Sequence, residues 1–152
     1  MTSPATATDE QIGIADIDGD GLNDVAAGDM KDGGSYIAWF QNPGDGSSDW
    51  IRNRLGDFPG VYPDRLDVAD VDGDSRVDVV VTEENDGSSP NAEVMWYQQP
   101  DDPVTAEWER SVVVEQFTTN GLDVADFDGD GDLEIVSIAW DDFPYLYLWI
   151  ND

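Results

Sequence analysis

Cysteine and histidine are both absent from this 152-residue chain. Without thiolates it has no disulfide, no cysteine nucleophile and no zinc or iron–sulfur site built on Cys. Without imidazole it has no Ser-His-Asp triad, no histidine general base and no His-ligated metal of its own. Basic residues are scarce: six Lys and Arg face 35 Asp and Glu, a formal net charge of −29. Nucleic acid and anionic membranes are therefore disfavoured as partners, whereas cations are favoured.

Long hydrophobic runs are missing as well. No stretch approaches the ~18 apolar residues of a membrane-spanning helix, which argues against membrane insertion. The first ten residues, MTSPATATDE, have neither a basic region nor an apolar stretch, so no signal peptide is visible. A hydrophobic share of 39% and an aromatic share of 11% nevertheless suffice for a core and argue against simple acidic disorder. The length indicates one domain or one array of small units.

What the chain does contain is a repeat. Three segments align without gaps: IGIADIDGDGLNDVAAGD from Ile12, LDVADVDGDSRVDVVVTE from Leu66 and LDVADFDGDGDLEIVSIA from Leu122. An aromatic block follows each segment, and a Trp-led block follows it in the first two repeats. We expect equivalent packing positions within each of two sets: Trp39, Trp96 and Trp149, and then Trp50 and Trp108. The chain is interpreted as one array over 1–152, with repeats of approximately 11–64, 65–120 and 121–152.

Each repeat predicts four antiparallel strands. A short first strand leads into an acidic loop, a β-branched second strand follows (77–82 and 133–138), an aromatic third strand comes next, and the fourth starts at Trp50 or Trp108. No segment sustains a helical period. The predicted fold class is therefore all-β, with β-propeller blades in three four-stranded repeats, the last incomplete. Because closed propellers have ~4–8 blades, we expect a partial propeller or one completed by oligomerisation.

The loop in each repeat has the form D-x-D-G-D-x-x-x-[D/E], with carboxylates at loop positions 1, 3, 5 and 9. Alternate residues of a tight loop converge on one point, and a backbone carbonyl at position 7 would add a further oxygen. Hard oxygen ligands in this number suit Ca²⁺ better than Mg²⁺, which keeps more of its waters. About three Ca²⁺ sites are predicted, from Asp16, Asp18, Asp20, Leu22 and Asp24; from Asp70, Asp72, Asp74, Arg76 and Asp78; and from Asp126, Asp128, Asp130, Asp132 and Glu134.

These loops differ from an EF-hand, which needs a bidentate Glu at position 12 between two helices. The alternative is that they are solvated Asp-Gly turns, although three copies in register favour the metal. The second loop, with Ser75 and Arg76 in place of Gly and a neutral residue, is expected to be the weakest site. Most of the acids lie outside the loops, which favours a high-salt habitat as the reason for the remaining charge.

The motif ADIDGDGLNDVAAGD, followed by IAWFQNPGDG and a Trp-led strand, resembles the FG-GAP/VCBS-type repeat over about 12–152. That resemblance implies a β-propeller with calcium in the acidic loops and an extracellular or cell-surface location. It also implies a binding or adhesion module for glycan or protein ligands. This is the favoured function, with no enzymatic activity.

Two alternatives stay open. In the first, copies of the chain associate to form a structural unit. In the second, the chain is part of a polysaccharide-active enzyme, and acids such as Asp141 and Asp142 lie in a pocket. The segment Trp140–Tyr145 combines aromatic and acidic residues in the manner of a sugar site.

Overall fold

The computed structural model describes residues 11–31, 34–46, 48–84, 92–116, 119–139 and 146–150. Eleven β-strands make up its regular structure, and none of the described residues forms a helix that could cross a membrane. The strands are β1 Gly13–Ala15, β2 Asp24–Lys31, β3 Gly34–Gln41, β4 Ile51–Phe58, β5 Tyr62–Ala69, β6 Asp78–Glu84, β7 Ala92–Gln98, β8 Glu109–Gln116, β9 Thr119–Ala125, β10 Glu134–Ala139 and β11 Leu146–Trp149.

The strands form three antiparallel sheets, each in simple sequential order. Sheet 1 is β1-β2-β3-β4, sheet 2 is β5-β6-β7-β8, and sheet 3 is β9-β10-β11. The predicted fold class is confirmed: these are propeller blades, two with four strands and one with three. The second and fourth strands begin within one residue of their predicted starts. The first strands of sheets 2 and 3 were expected to be short, but they begin earlier, at Tyr62 and Thr119, and have eight and seven residues. Across the described residues the sheets stack side by side without closing into a ring.

Two hydrophobic clusters join neighbouring sheets. Sheets 1 and 2 share one cluster, in which Trp39 and Phe58 pack with Tyr97 and Trp108. Sheets 2 and 3 share the other, in which Val80 and Val94 meet Ile135, with Val124 and Trp149 packed around them. The apolar residues of each blade are therefore buried between blades, as expected for small sheets that cannot form a core alone.

The third sheet departs from the expected register by one residue. Ala26 pairs with Trp39 and Val80 pairs with Trp96, but Trp149 pairs with Ile135 instead of Val136. A shift of one residue moves every side chain of a strand to the opposite face. The expectation that Trp149 is equivalent to Trp39 and Trp96 is therefore wrong.

Candidate metal centre

Each acidic loop connects the first strand of a sheet to the second, so all three have the same place in their blades. The loops turn through two residues with positive φ, at loop positions 4 and 6. Position 4 is glycine in every loop, and position 6 is Gly21 (φ 90°), Ser75 (φ 70°) or Gly131 (φ 103°). Left-handed backbone favours glycine, so Ser75 departs from the pattern at the position where this conformation is required.

The acid at position 9 starts the second strand and fastens the loop to the sheet. Asp24 accepts hydrogen bonds from the backbone N–H of Ile17 (3.0 Å) and Asn42 (2.8 Å). Asp78 accepts the equivalent bonds from Val71 (3.2 Å) and Gln99 (2.8 Å). Asp24 and Asp78 are both fully buried. Burial raises the pKa of Asp24, and it raises the pKa of Asp78 to about 6. The hydrogen bonds from the backbone act in the opposite direction and lower both pKa values, but burial has the larger effect.

The acids at positions 1, 3 and 5 shape the loop through bonds to its own backbone. In the first loop Asp16 accepts from Gly21 N–H (2.9 Å), Asp18 from Asp20 N–H (3.1 Å), and Asp20 from Leu22 N–H (2.8 Å). The other loops repeat the last two bonds at the same positions. Such bonds between acidic side chains and nearby backbone N–H groups hold each loop in its turn.

The structure brings three acids together in each loop. Their ligand oxygens lie within 4.8 Å of one another in three groups: Asp16, Asp18 and Asp24; Asp70, Asp72 and Asp74; and Asp126, Asp128 and Glu134. Asp20, Asp78 and Asp130 lie outside these groups. The position-7 residues Leu22, Arg76 and Asp132 each donate a backbone N–H to the position-5 acid, and ligation by their carbonyls stays a prediction.

One oxygen in each group is buried and has no hydrogen-bond donor. These atoms are Asp16 Oδ1, Asp70 Oδ1 and Glu134 Oε1, and the Glu134 residue is only 1% exposed. An ionised oxygen removed from water without a partner is costly, and neighbouring carboxylates add repulsion. The chemistry of the three groups therefore fits a hard cation, which would satisfy these oxygens and neutralise the repulsion.

Two glutamines contact the first and second loops. The sequence-based predictions did not include them. Gln41 Nε2 donates to Asp18, and Gln98 Nε2 donates to Asp72. They occupy the same place, two residues after Trp39 and Trp96 in the third strand. The repeated W-x-Q pattern was the available signal.

The second loop also contains a positively charged side chain, that of Arg76. Arg76 forms an ion pair with Asp74, donates to Gln99 O (2.9 Å) and pairs with Asp101 (3.1 Å). This guanidinium competes with a metal for one of the three grouped carboxylates, a physical reason to expect weaker metal binding in this loop.

The alternative sugar-binding segment Trp140–Tyr145, with the acids Asp141 and Asp142, lies outside the described residues. Outside the loops, burial raises the pKa of Asp67 and of Glu83. Both accept bonds from backbone N–H groups, Asp67 from Val124 (3.1 Å) and Glu83 from Glu93 (3.0 Å). These bonds give both acids a structural role.

Comparison with known proteins identifies the family of this propeller. Residues 33–151 match the family model described as aldos-2-ulose dehydratase, beta-propeller domain. A curated relative, "Aldos-2-ulose dehydratase" of Phanerodontia chrysosporium, is 34% identical over an alignment of 112 residues that covers 65% of this chain. The chain spans 12% of the length of that relative.

These findings correct two expectations. The resemblance to the FG-GAP/VCBS-type repeat was wrong, since the matching family is a different one. Acidic loops and Trp-bearing third strands are local features of a blade, so they do not distinguish one propeller family from another. The expectation of no enzymatic activity is contradicted as well, because the relative is named as an enzyme, although the match covers only its propeller domain. The alternative of a propeller that is part of an enzyme agrees better with this match. The chain belongs to the aldos-2-ulose dehydratase β-propeller domain family.

Proposed function

We propose that this chain is the calcium-binding propeller part of a carbohydrate-processing enzyme, with Ca²⁺ held in the three acidic loops as a structural ion. The observation that supports it is the threefold recurrence of one arrangement. Each loop groups three acids within 4.8 Å and contains a buried carboxylate oxygen without a donor. The family supports the enzymatic context, and the relative's name suggests aldos-2-uloses as the substrate class.

The role of the ion is to tie strands together. Within each loop the grouped acids come from the turn after the first strand, and in the first and third loops also from the first residue of the second strand. An ion bound there links both strands, so its binding free energy adds to the free energy of unfolding. Without a bidentate Glu at position 12 we expect dissociation constants of ~10⁻⁴–10⁻³ M, a range typical of extracellular modules. An extracellular location stays a prediction.

A calorimetric titration tests the proposed binding of Ca²⁺ to the three loops. Titration of Ca²⁺ into protein stripped with EDTA is expected to give about three sites, with the second loop weakest. Asp16→Asn removes one grouped charge and is expected to leave about two. Glu107→Gln, which changes an exposed acid outside the loops, is the matched control and should keep all three. Absence of calcium binding, or equal stoichiometry in Asp16→Asn and wild type, would contradict the metal assignment.

Saturation-transfer NMR tests the substrate class. An aldos-2-ulose incubated with the calcium-loaded chain is expected to receive magnetisation from protein protons, whereas the corresponding alditol, which lacks both carbonyl groups, should receive much less. No transfer to the aldos-2-ulose would contradict the proposed substrate contact and leave the calcium result unaffected.

A further inference from the structure

Gln99 directly follows β7 and contacts two of the acidic loops. Its side-chain Nε2 donates to Ile17 O in the first loop (2.6 Å), and its backbone N–H donates to Asp78 in the second (2.8 Å). Its carbonyl oxygen accepts from Arg76 Nε, also in the second loop (2.9 Å). Gln99 and Ile17 are only 5% and 2% exposed, so the bond between them is shielded from water. One residue thus joins two candidate metal sites that belong to different sheets.

In the first loop, the bond from Gln99 reaches the backbone between two grouped acids. Ile17 stands between Asp16 and Asp18, whose oxygens belong to one group within 4.8 Å. Its own N–H donates to Asp24 (3.0 Å), the third acid of that group. Ile17 is therefore held by the group through its N–H and by Gln99 through its carbonyl. An ion that draws the three carboxylates together would fix the backbone of Ile17 and, with it, the bond from Gln99.

In the second loop, Gln99 and its neighbour Gln98 hold residues at the candidate site itself. Gln98 Nε2 donates to Asp72, one of the three grouped acids. The carbonyl of Gln99 orients Arg76, whose guanidinium forms an ion pair with the grouped acid Asp74. A change in the position of Gln99 therefore moves groups that would bind an ion in this loop or compete with it.

The corresponding residue of the first repeat is Asn42, which follows Trp39 by three residues as Gln99 follows Trp96. Its backbone N–H likewise donates to the position-9 acid of its loop. Its shorter side chain, however, donates to Asn23 O (3.0 Å) within the same loop. The link between two loops thus depends on the longer side chain of Gln99, whereas the bond to the position-9 acid depends on the backbone alone.

We propose that Gln99 couples calcium binding in the first loop to calcium binding in the second, with positive cooperativity. This inference rests on the proposed function, since it needs both loops to bind the ion. An ion in one loop orders the Gln99 bonds that the other loop also uses, so the second ion binds to a loop that is already partly ordered. Within the described residues the hydrogen bonds of Gln99 go to the first and second loops. The third loop is therefore expected to bind its ion independently of the first.

NMR titration of Ca²⁺ into the EDTA-stripped chain tests the coupling loop by loop. The backbone amides of Gly19, Gly73 and Gly129 lie at position 4 of the three loops and report each site separately. Because the second site is expected to be weaker than the first, it fills while the first is occupied. Asp16→Asn weakens the first site and is expected to raise the midpoint at Gly73 about fivefold or more, while the midpoint at Gly129 stays the same. Glu107→Gln, the exposed control, should shift neither midpoint.

Gln99→Met removes the side-chain donor but keeps the backbone N–H and a side chain of similar length. In this variant all three glycines should still respond to Ca²⁺, but adding Asp16→Asn should no longer move the midpoint at Gly73. Glutamine and methionine are both uncharged, so the effect of the lost Asp16 charge is the same in the two backgrounds and cancels in the comparison. Gln99→Asn, which copies the residue of the first repeat, provides the same comparison if Gln99→Met does not fold.

Two results would overturn the coupling. They are a midpoint at Gly73 that is the same in Asp16→Asn and wild type, and a shift that persists undiminished in Gln99→Met. In either case the loops still bind Ca²⁺, and the proposed function stands without the link. A titration in which none of the three glycines responds would instead contradict the calcium assignment, and the coupling with it.

Discussion

Stability in the absence of metal should rise as the pH falls, in contrast to most proteins. The cause is the set of buried acids, of which Asp78 is the clearest. Burial raises its pKa to about 6 from 3.8, so the folded state holds a proton more tightly than the unfolded chain. Above pH 6 the folded protein contains a buried ionised carboxylate and is destabilised. Protonation removes that penalty as the pH falls through 6, and the gain is complete below 3.8.

The magnitude follows from the two pKa values. A change from 3.8 to about 6 corresponds to about 3 kcal/mol in the free energy of unfolding, and about 1.4 kcal/mol of it is gained between pH 7.5 and pH 5. Burial also raises the pKa of Asp24, Asp67 and Glu83, so these acids change stability in the same direction. Saturating Ca²⁺ should reverse the slope, because protons then compete with the ion for the loop carboxylates.

Urea unfolding followed by Trp fluorescence, in EDTA at pH 7.5 and pH 5.0, measures the effect. The free energy of unfolding is expected to be higher at pH 5.0. A lower free energy of unfolding at pH 5.0 than at pH 7.5 would contradict the predicted effect of the buried acids. NMR titration of the Asp78 carboxyl carbon provides the residue-level check, and a midpoint below pH 4.5 would show that burial does not control this group.

Two further predictions concern substitutions to or from glycine. Ser75→Gly should stabilise the protein by ~0.5–1 kcal/mol, because Ser75 has φ 70° where the other loops have glycine, and a lower urea midpoint would contradict this. Gly56→Ala should destabilise it by ~1–3 kcal/mol, because the added Cβ would lie 2.3 Å from Tyr97 Oη in the cluster between sheets 1 and 2. Adding Tyr97→Phe removes that oxygen and should restore part of the loss in the same unfolding measurement; no recovery would count against the steric explanation.

Much of the local structure was predictable because its physical causes are local. Alternating apolar residues and Gly-rich turns specify strands, and the repeat shows where each sheet begins. The acidic motif likewise predicted three equivalent loops, each leading from the first strand of a repeat into the second. The family was not predictable from these features, since a blade motif says little about which propeller contains it.

The strand content, the blade repeat, the acidic loops and the exclusion of Cys and His chemistry follow from the amino-acid sequence alone. The register of β11, the choice of acids that converge, and the burial of Trp108 alongside the exposure of Trp50 depend on contacts between strands and between sheets. The physical reason is that alternation fixes which residues share a face, but pairing with a neighbouring strand sets the register, and packing against a neighbouring sheet sets burial. Trp50 and Trp108 occupy the same repeat position, but among the described residues Trp108 packs between sheets 1 and 2 and is 6% exposed, whereas Trp50 is 44% exposed.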